Sequence, residues 1–298
     1  MAGLGTIVKP NYTVVSRMSG NQNIGGQSVG IWYFDRDGSS QGFMDNRKFP
    51  SAHLEIIEGQ QSNILFRNLS PMDHTIHLHG LDVDQENDGV PATSFSVPMM
   101  GSYTYKFLAP HAGTYHYHCH VDTIIHYHRG MTGTIIVRPP DGSINRAWDG
   151  GPTFDEEVLW HLLTYDLTWA NLSTSGSATA RHRPNAFLLN GFASEQARTD
   201  PYTRLVAAVG QRIYLRILNS SYQWGRIRLA GLSFDVVASD GRPMRQVVTT
   251  DSWEIGPGER YDLLITPTAP ISADATVEYL DDWTGAVLGT AATRLEIV

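Results

Sequence analysis

Cysteine is all but missing from this chain. Cys119 stands alone among 298 residues, so no intrachain disulfide can form and that thiol is a packed core residue, a nucleophile or a metal ligand. Long apolar runs are missing too. Stretches such as Thr134 to Val137 and Leu205 to Val209 are strand-sized and fall far short of the roughly 20 residues a bilayer span needs. Positive charge is scarce: 22 Lys and Arg stand against 30 Asp and Glu, a formal net charge of −8. No basic cluster is placed to neutralise a run of phosphates, which excludes nucleic acid as a partner. No charged n-region followed by an apolar h-region opens the sequence, so any export signal was removed or lies outside it, and the compartment must be argued from chemistry.

Helical periodicity is the remaining absence, and its place is taken by short runs of Val, Ile, Tyr, Phe and Thr punctuated by Gly, Pro, Asn and Asp. The pattern predicts an all-β chain. Strands are expected near 54–57, 62–67, 74–78, 101–107, 113–118 and 132–137, the density of a Greek-key sandwich or barrel. The second half repeats the style at 158–160, 205–209, 212–218, 234–238 and 261–265. Between the halves, Arg138-Pro139-Pro140-Asp141-Gly142-Ser143 ends a ladder. A first domain over 1–143, a linker over 144–155 and a second domain over 156–298 follow.

Histidine is where the chain is rich. Nine of the 12 lie between His74 and His128, and none follows His182. Such clustering argues for metal chemistry, because imidazole is the commonest side-chain ligand of copper, zinc and non-haem iron. In His116-Tyr117-His118-Cys119-His120, strand alternation sends the cysteine to the core and the three histidines to the opposite, outward face. A thiolate inside a β-sandwich, with imidazoles and a weak axial thioether, is the ligand set of a blue copper site. His126 and Met131 supply an imidazole and the thioether, and His74-Thr75-Ile76-His77-Leu78-His79-Gly80 supplies the second imidazole. Zinc is the chemical rival, but one thiolate among many imidazoles with a methionine suits copper better than a cysteine-rich zinc site. Two sites are therefore expected, one buried around Cys119 and one at the surface. His53, His111, His161 and His182 stand apart from both.

These residues resemble the multicopper oxidases, the laccase-like enzymes. His77-Leu78-His79-Gly80, Asp88-Gly89-Val90-Pro91 and Gly113-Thr114-Tyr115-His116-Tyr117-His118 look like the family's HxHG, DGxP and GTYxYHxH signatures. His118-Cys119-His120 with His126 and Met131 looks like its HCH…HxxxGM signature, with two extra residues between Cys119 and His126. Leu189-Asn190-Gly191, Leu215 to Asn219, Ala238 to Gly241 and Gly256 to Asp262 resemble a copper-free repeat of the same domain. The resemblance implies two cupredoxin-like Greek-key domains. It assigns type 1 copper to His74, Cys119, His126 and Met131, type 2 to His77, and the binuclear type 3 pair to His79, His118 and His120. Asp88 matches a proton-relaying acid.

The implied activity is one-electron oxidation of phenols, aromatic amines or metal ions coupled to reduction of O2 to water. Electrons would leave the donor at a solvent-facing edge of His126 or His74 and pass through Cys119 to His118 and His120. A trinuclear cluster needs eight imidazoles, and the first domain offers His77, His79, His118 and His120. Trimeric two-domain relatives take the rest from a neighbour's second domain, but residues 183 to 298 carry no histidine, so only His161 or His182 could help. Two first domains facing across a two-fold axis would supply four each. The alternatives are a copper nitrite reductase, which pairs one rather than two histidines with the cysteine, and a blue copper electron carrier without oxidase activity. The resemblance also implies an exported protein, periplasmic or extracellular.

Overall fold

The computed structural model describes Leu4 and residues 8–36, 48–177 and 181–298. It divides into two compact units. The unit that carries Cys119 comprises residues 5–143 and 167–183. Its strands are β1 (Asn11–Ile24), β2 (Gln27–Arg36), β3 (Leu54–Ile57), β4 (Gln61–Asn68), β5 (His77–His79), β6 (Ser102–Leu108), β7 (Gly113–His118) and β8 (Thr132–Arg138), with one short helix, α1 (Thr123–His128), between the last two. They form two four-stranded sheets, ordered β2-β1-β4-β6 and β3-β8-β7-β5. β1 runs parallel to β4 and β3 parallel to β8; the other pairs are antiparallel.

Side chains two apart on a strand share a face, so each strand offers one stripe to the interior. Val14, Phe34, Ile64, Phe66 and Tyr105 from one sheet meet Leu54, Leu78, Tyr115, Tyr117 and Ile135 from the other in a single core that includes Cys119. The fold is the all-β sandwich that the sequence predicts. β1 and β2 escape the sequence reading; in β1, Ser, Asn, Gln and Gly leave only five of 14 residues apolar. Gly20 belongs there for a steric reason: a Cβ would sit 2.8 Å from the Ile31 side chain and 2.9 Å from that of Tyr33.

The other unit pairs a six-stranded sheet (Ala186–Leu189, Glu156–Tyr165, Ile213–Asn219, Arg260–Ile265, Phe234–Ser239, Arg242–Thr250) with a five-stranded one (Leu205–Ala207, Val287–Ile297, Ile271–Leu280, Trp224–Arg228, Ser252–Ile255). Trp160, Leu215, Ile217 and Leu263 of the first sheet meet Val277, Tyr279 and Leu295 of the second. Both units use the same corner. Asn68 and Asn219 are wholly buried, and each side-chain oxygen accepts from the backbone N–H of the serine two residues on, at 3.1 and 2.9 Å. These Asn-x-Ser triplets are turn devices.

Two expected boundaries move. Residues 144–155 are not a linker: a turn at Gly150-Gly151 brings Ala147 N–H back to the Pro152 carbonyl, and Phe154 stacks on Tyr214 at 4.9 Å. Ala147 and Phe154 are thereby buried with Val237 in the second unit. Residues 167–183, expected in the second domain, pack with the first unit, because Trp169 and Leu172 join its core. Among the described residues, no helix is long and apolar enough to cross a membrane.

Candidate metal centres

β7 is hydrogen-bonded on both sides, to β5 and to β8, which makes it a rigid platform. Just past its end, Cys119 N–H donates to the Met131 carbonyl at 3.0 Å, which holds the thiol inward. Asp122 turns the chain in the left-handed region (φ 42) and starts α1, absorbing the extra residues between Cys119 and His126. His74 lies outside β5, held by paired backbone bonds with Val97 at 3.1 and 2.9 Å. From these three elements the donor atoms converge: Cys119 Sγ lies 3.2 Å from His126 Nδ1 and 3.5 Å from His74 Nδ1, and the two Nδ1 atoms are 3.2 Å apart. A point equidistant from all three is about 2 Å from each, the length of a metal–imidazole bond.

Burial makes this pocket neutral. It lowers His74 to about 3 and His126 to about 4, and pushes the Cys119 thiol up to about 12. Both Nε2 atoms are shielded from solvent and, among the described residues, have no hydrogen-bond partner. A thiol and two neutral imidazoles aimed at one point fit a thiophilic metal ion, whose binding releases the thiol proton. Met131 is wholly buried in the same core.

The same burial sets a pH dependence. His118 is also lowered to about 3, chiefly by burial. Histidines that bind protons less readily in the folded state stabilise it above the unfolded value of 6.5, and that stability is lost as pH falls below it. The metal-free protein is therefore expected to hold a level stability above about pH 6.5 and lose about 1.4 kcal/mol per histidine for each pH unit toward 4. Urea unfolding at stepped pH checks this; a flat profile from 7 to 4 contradicts it.

The second group lies on the opposite face of β7. Ligand nitrogens of His77, His79 and His118 all lie within 4.8 Å of one another. His77 Nδ1 donates to the Asp88 carbonyl at 2.8 Å, with an Asp88 carboxylate oxygen at 3.3 Å. His118 Nδ1 donates to the Cys119 carbonyl at 2.9 Å. In both rings the bond made by Nδ1 leaves Nε2 for a metal. His120 stands outside that trio: its ring centroid is 5.3 Å from that of His77 and 5.8 Å from that of His118, and its backbone N–H is held by Thr75 Oγ1. The face is not the exposed surface expected from alternation. His116 and His118 are buried, and Tyr127 of α1 lies edge-on to both at 5.6 and 5.2 Å.

Gly89 permits the His77–Asp88 contact. Its φ is +70°, and a Cβ there would lie 2.6 Å from the Ile76 carbonyl carbon. Gly89→Ala is expected to cost on the order of 1–3 kcal/mol in denaturant unfolding and to displace Asp88 from His77; an unchanged unfolding midpoint would contradict this.

One further expectation fails. His74 and His126 are both 0% exposed, so neither presents an edge to solvent. Trp32, unremarked in the sequence, lies edge-on to His126 at 5.2 Å, with the Arg129 guanidinium 4.8 Å over its ring and bonded to the Ala170 carbonyl. The run Ile31-Trp32-Tyr33-Phe34 in β2 is a legible strand signal, but nothing in the sequence ties Trp32 to the site. His161 is buried in the other unit, its Nε2 2.6 Å from Ser220 Oγ. His182 packs against His128.

Two cupredoxin-like sandwiches, one bearing a Cys-His-His pocket back to back with a histidine cluster, define a copper protein of the oxidase type. Family models described as multicopper oxidase match residues 28–142 and 159–276, and the chain belongs to that family, whose cofactor is copper. It is 30% identical over 240 residues to the multicopper oxidase MmcO of Mycobacterium tuberculosis, covering 73% of this chain and 46% of that one. It is 27% identical over 290 residues to copper resistance protein A of Escherichia coli, covering 84% and 46%. The chain thus spans less than half the length of these curated relatives. Among solved structures, the multicopper oxidase mgLAC superposes with a TM-score of 0.76 at 23% identity, covering 96% of this chain and 85% of that one. The blue copper oxidase of Nitrosomonas europaea gives 0.71 at 24%, with coverages of 96% and 85%.

Proposed function

We propose that this chain is a laccase-like multicopper oxidase that takes single electrons from phenols, aromatic amines or metal ions and passes them to O2. The observation that carries the reading is the junction at His118-Cys119-His120, where one peptide link separates the thiol of the first pocket from an imidazole of the second. In this reading His74, Cys119, His126 and Met131 hold type 1 copper, His77 type 2, and His79, His118 and His120 type 3. Copper held there would supply one-electron redox chemistry, relaying four electrons from the donor to convert O2 to water.

The protein's own groups do the rest. The bond from His118 Nδ1 to the Cys119 carbonyl, 2.9 Å long, adds a hydrogen-bonded route beside the covalent one. The Asp88 carboxylate, partly exposed and 3.3 Å from His77 Nδ1, stands between solvent and the histidine face, where it is placed to relay protons. Trp32 and Arg129 keep water from His126. The second unit supplies no further imidazole: His161 is committed to Ser220, and none follows His182. We therefore assign the missing ligands to a second copy, its first domain facing this one across a two-fold axis. A thiolate–copper centre of this kind is loaded outside the cytosol, so the protein is placed in the periplasm or outside the cell.

Copper counting tests the assembly. The shared cluster gives about 2.5 copper ions per chain, one at Cys119 and three per pair. A count near 4 means each chain completes its own cluster and rejects the two-fold arrangement. A count near 1 leaves only the Cys119 centre and rejects the oxidase.

A further inference from the structure

With both imidazoles of the Cys119 pocket buried, a donor in solution touches neither ring, and its electrons must cross protein to reach them. Trp32 lies edge-on to His126 but is itself buried, with Arg129 over its ring, so it offers a donor no contact. β6 carries an aromatic stripe that does. Tyr103 and Tyr105 are two apart and share the interior face; Tyr103 is half-buried at the rim, whereas Tyr105 is wholly buried in the core that includes Cys119. Their ring centroids are 5.0 Å apart, and the Tyr105 hydroxyl accepts the Ile76 N–H at 3.0 Å, two residues from His74. A second contact runs to the same histidine. Phe95 lies 4.5 Å from the Tyr103 ring, and Val97, two residues on, exchanges backbone bonds with His74 at 3.1 and 2.9 Å. At the outer end, Tyr103 lines an open pocket with Glu86, Asn87 and Lys106. Its hydroxyl donates to Glu86 Oε1 at 3.2 Å, and buried Asn87 is pinned by the Lys106 N–H at 2.7 Å.

We propose that this pocket takes the electron donor, a small phenol or aromatic amine, and that Tyr103 and Tyr105 are its electron entry to the Cys119 centre; this rests on the oxidase reading above. The donor ring packs against Tyr103, and its hydroxyl or amine donates to the exposed Glu86 carboxylate. A single carboxylate already bonded to Tyr103, with Lys106 beside it, is a poor holder of a metal ion but a good acceptor for an O–H. When a phenol is oxidised its O–H bond breaks. The electron tunnels through the two packed rings to copper(II) held at the Cys119 pocket, leaving copper(I), and neither tyrosine is left oxidised. The proton passes to Glu86 and on to solvent, and the product is the neutral phenoxyl radical.

Guaiacol, a small phenol, is the probe, and two measurements without O2 are made. Equilibrium dialysis reads its binding to the fully reduced holoprotein, which cannot oxidise it; stopped-flow absorbance reads how fast saturating guaiacol bleaches the oxidised Cys119 centre. Tyr103→Ala is expected to weaken binding about tenfold and to slow bleaching about tenfold, with the colour and reduction potential of the centre unchanged. Tyr103→Phe, which keeps the ring, retains most of both and guards against a local folding defect. Glu86→Gln is expected to bind guaiacol as wild type does and to bleach more slowly, because the proton acceptor is gone. A Tyr103→Ala protein that binds and bleaches like a wild type that does bleach overturns the entry route alone. A wild type whose colour guaiacol never bleaches overturns the oxidase reading and the route with it.

Discussion

Cys119→Ser is expected to leave a folded, colourless protein that binds one copper fewer per chain and oxidises donors no faster than background. The serine is nearly isosteric, and the surrounding core of Tyr115, Tyr117, Ile125 and Met131 is apolar, so the fold persists. What is lost is the thiolate, the one soft, strongly donating ligand in a pocket otherwise made of two imidazoles 3.2 Å apart. Absorption spectra and copper analysis on the purified variant check this. A variant that kept both its intense colour and its turnover would show that the Cys119 pocket is not the electron acceptor.

The double variant His77→Ala with His79→Ala separates the two centres in the opposite sense. Both residues lie on β5 and neither donor atom belongs to the Cys119 pocket, so the colour and the type 1 copper stay. Oxygen consumption is expected to fall to background, since under the proposed shared cluster two of the four imidazoles from each copy are gone. Full oxidase activity in this variant would sink the shared-cluster assignment. Reduction of the Cys119 centre by an added donor under anaerobic conditions should proceed at the wild-type rate, which distinguishes a lost cluster from a misfolded domain.

How far each conclusion was legible in the residues follows from how local its cause is. Alternation along Gly113 to Cys119 is a local property of a strand, so the division of Cys119 from His116 and His118 could be read directly. The pairing of His74 with Cys119 and His126 rested on a motif resemblance; the structure supplies its cause in the His74–Val97 bridge and in α1, neither of which has a strong sequence pattern. β1 was missed because its interior stripe is carried by single residues between polar neighbours, whereas β2 carries a legible apolar run, Ile31-Trp32-Tyr33-Phe34, that the sequence reading passed over. The exposure of the site was misjudged as well. Alternation says which face a side chain takes, and it cannot say that Tyr127 covers the histidine face or that Trp32 and Arg129 close off His126.

By itself, then, the sequence determined the all-β class, the two repeats, the donor types and the family, because each is written in short-range spacing: period-two stripes, HxH pairs, one cysteine between two histidines. The tertiary structure alone shows how the donors grouped by the resemblance are brought together, that both imidazoles of the Cys119 pocket are sealed from solvent, and that residues 167–183 belong with the first unit and bring His182 to His128. Those contacts join residues 45 to more than 50 positions apart, and long-range packing of that kind leaves no periodic trace in the chain.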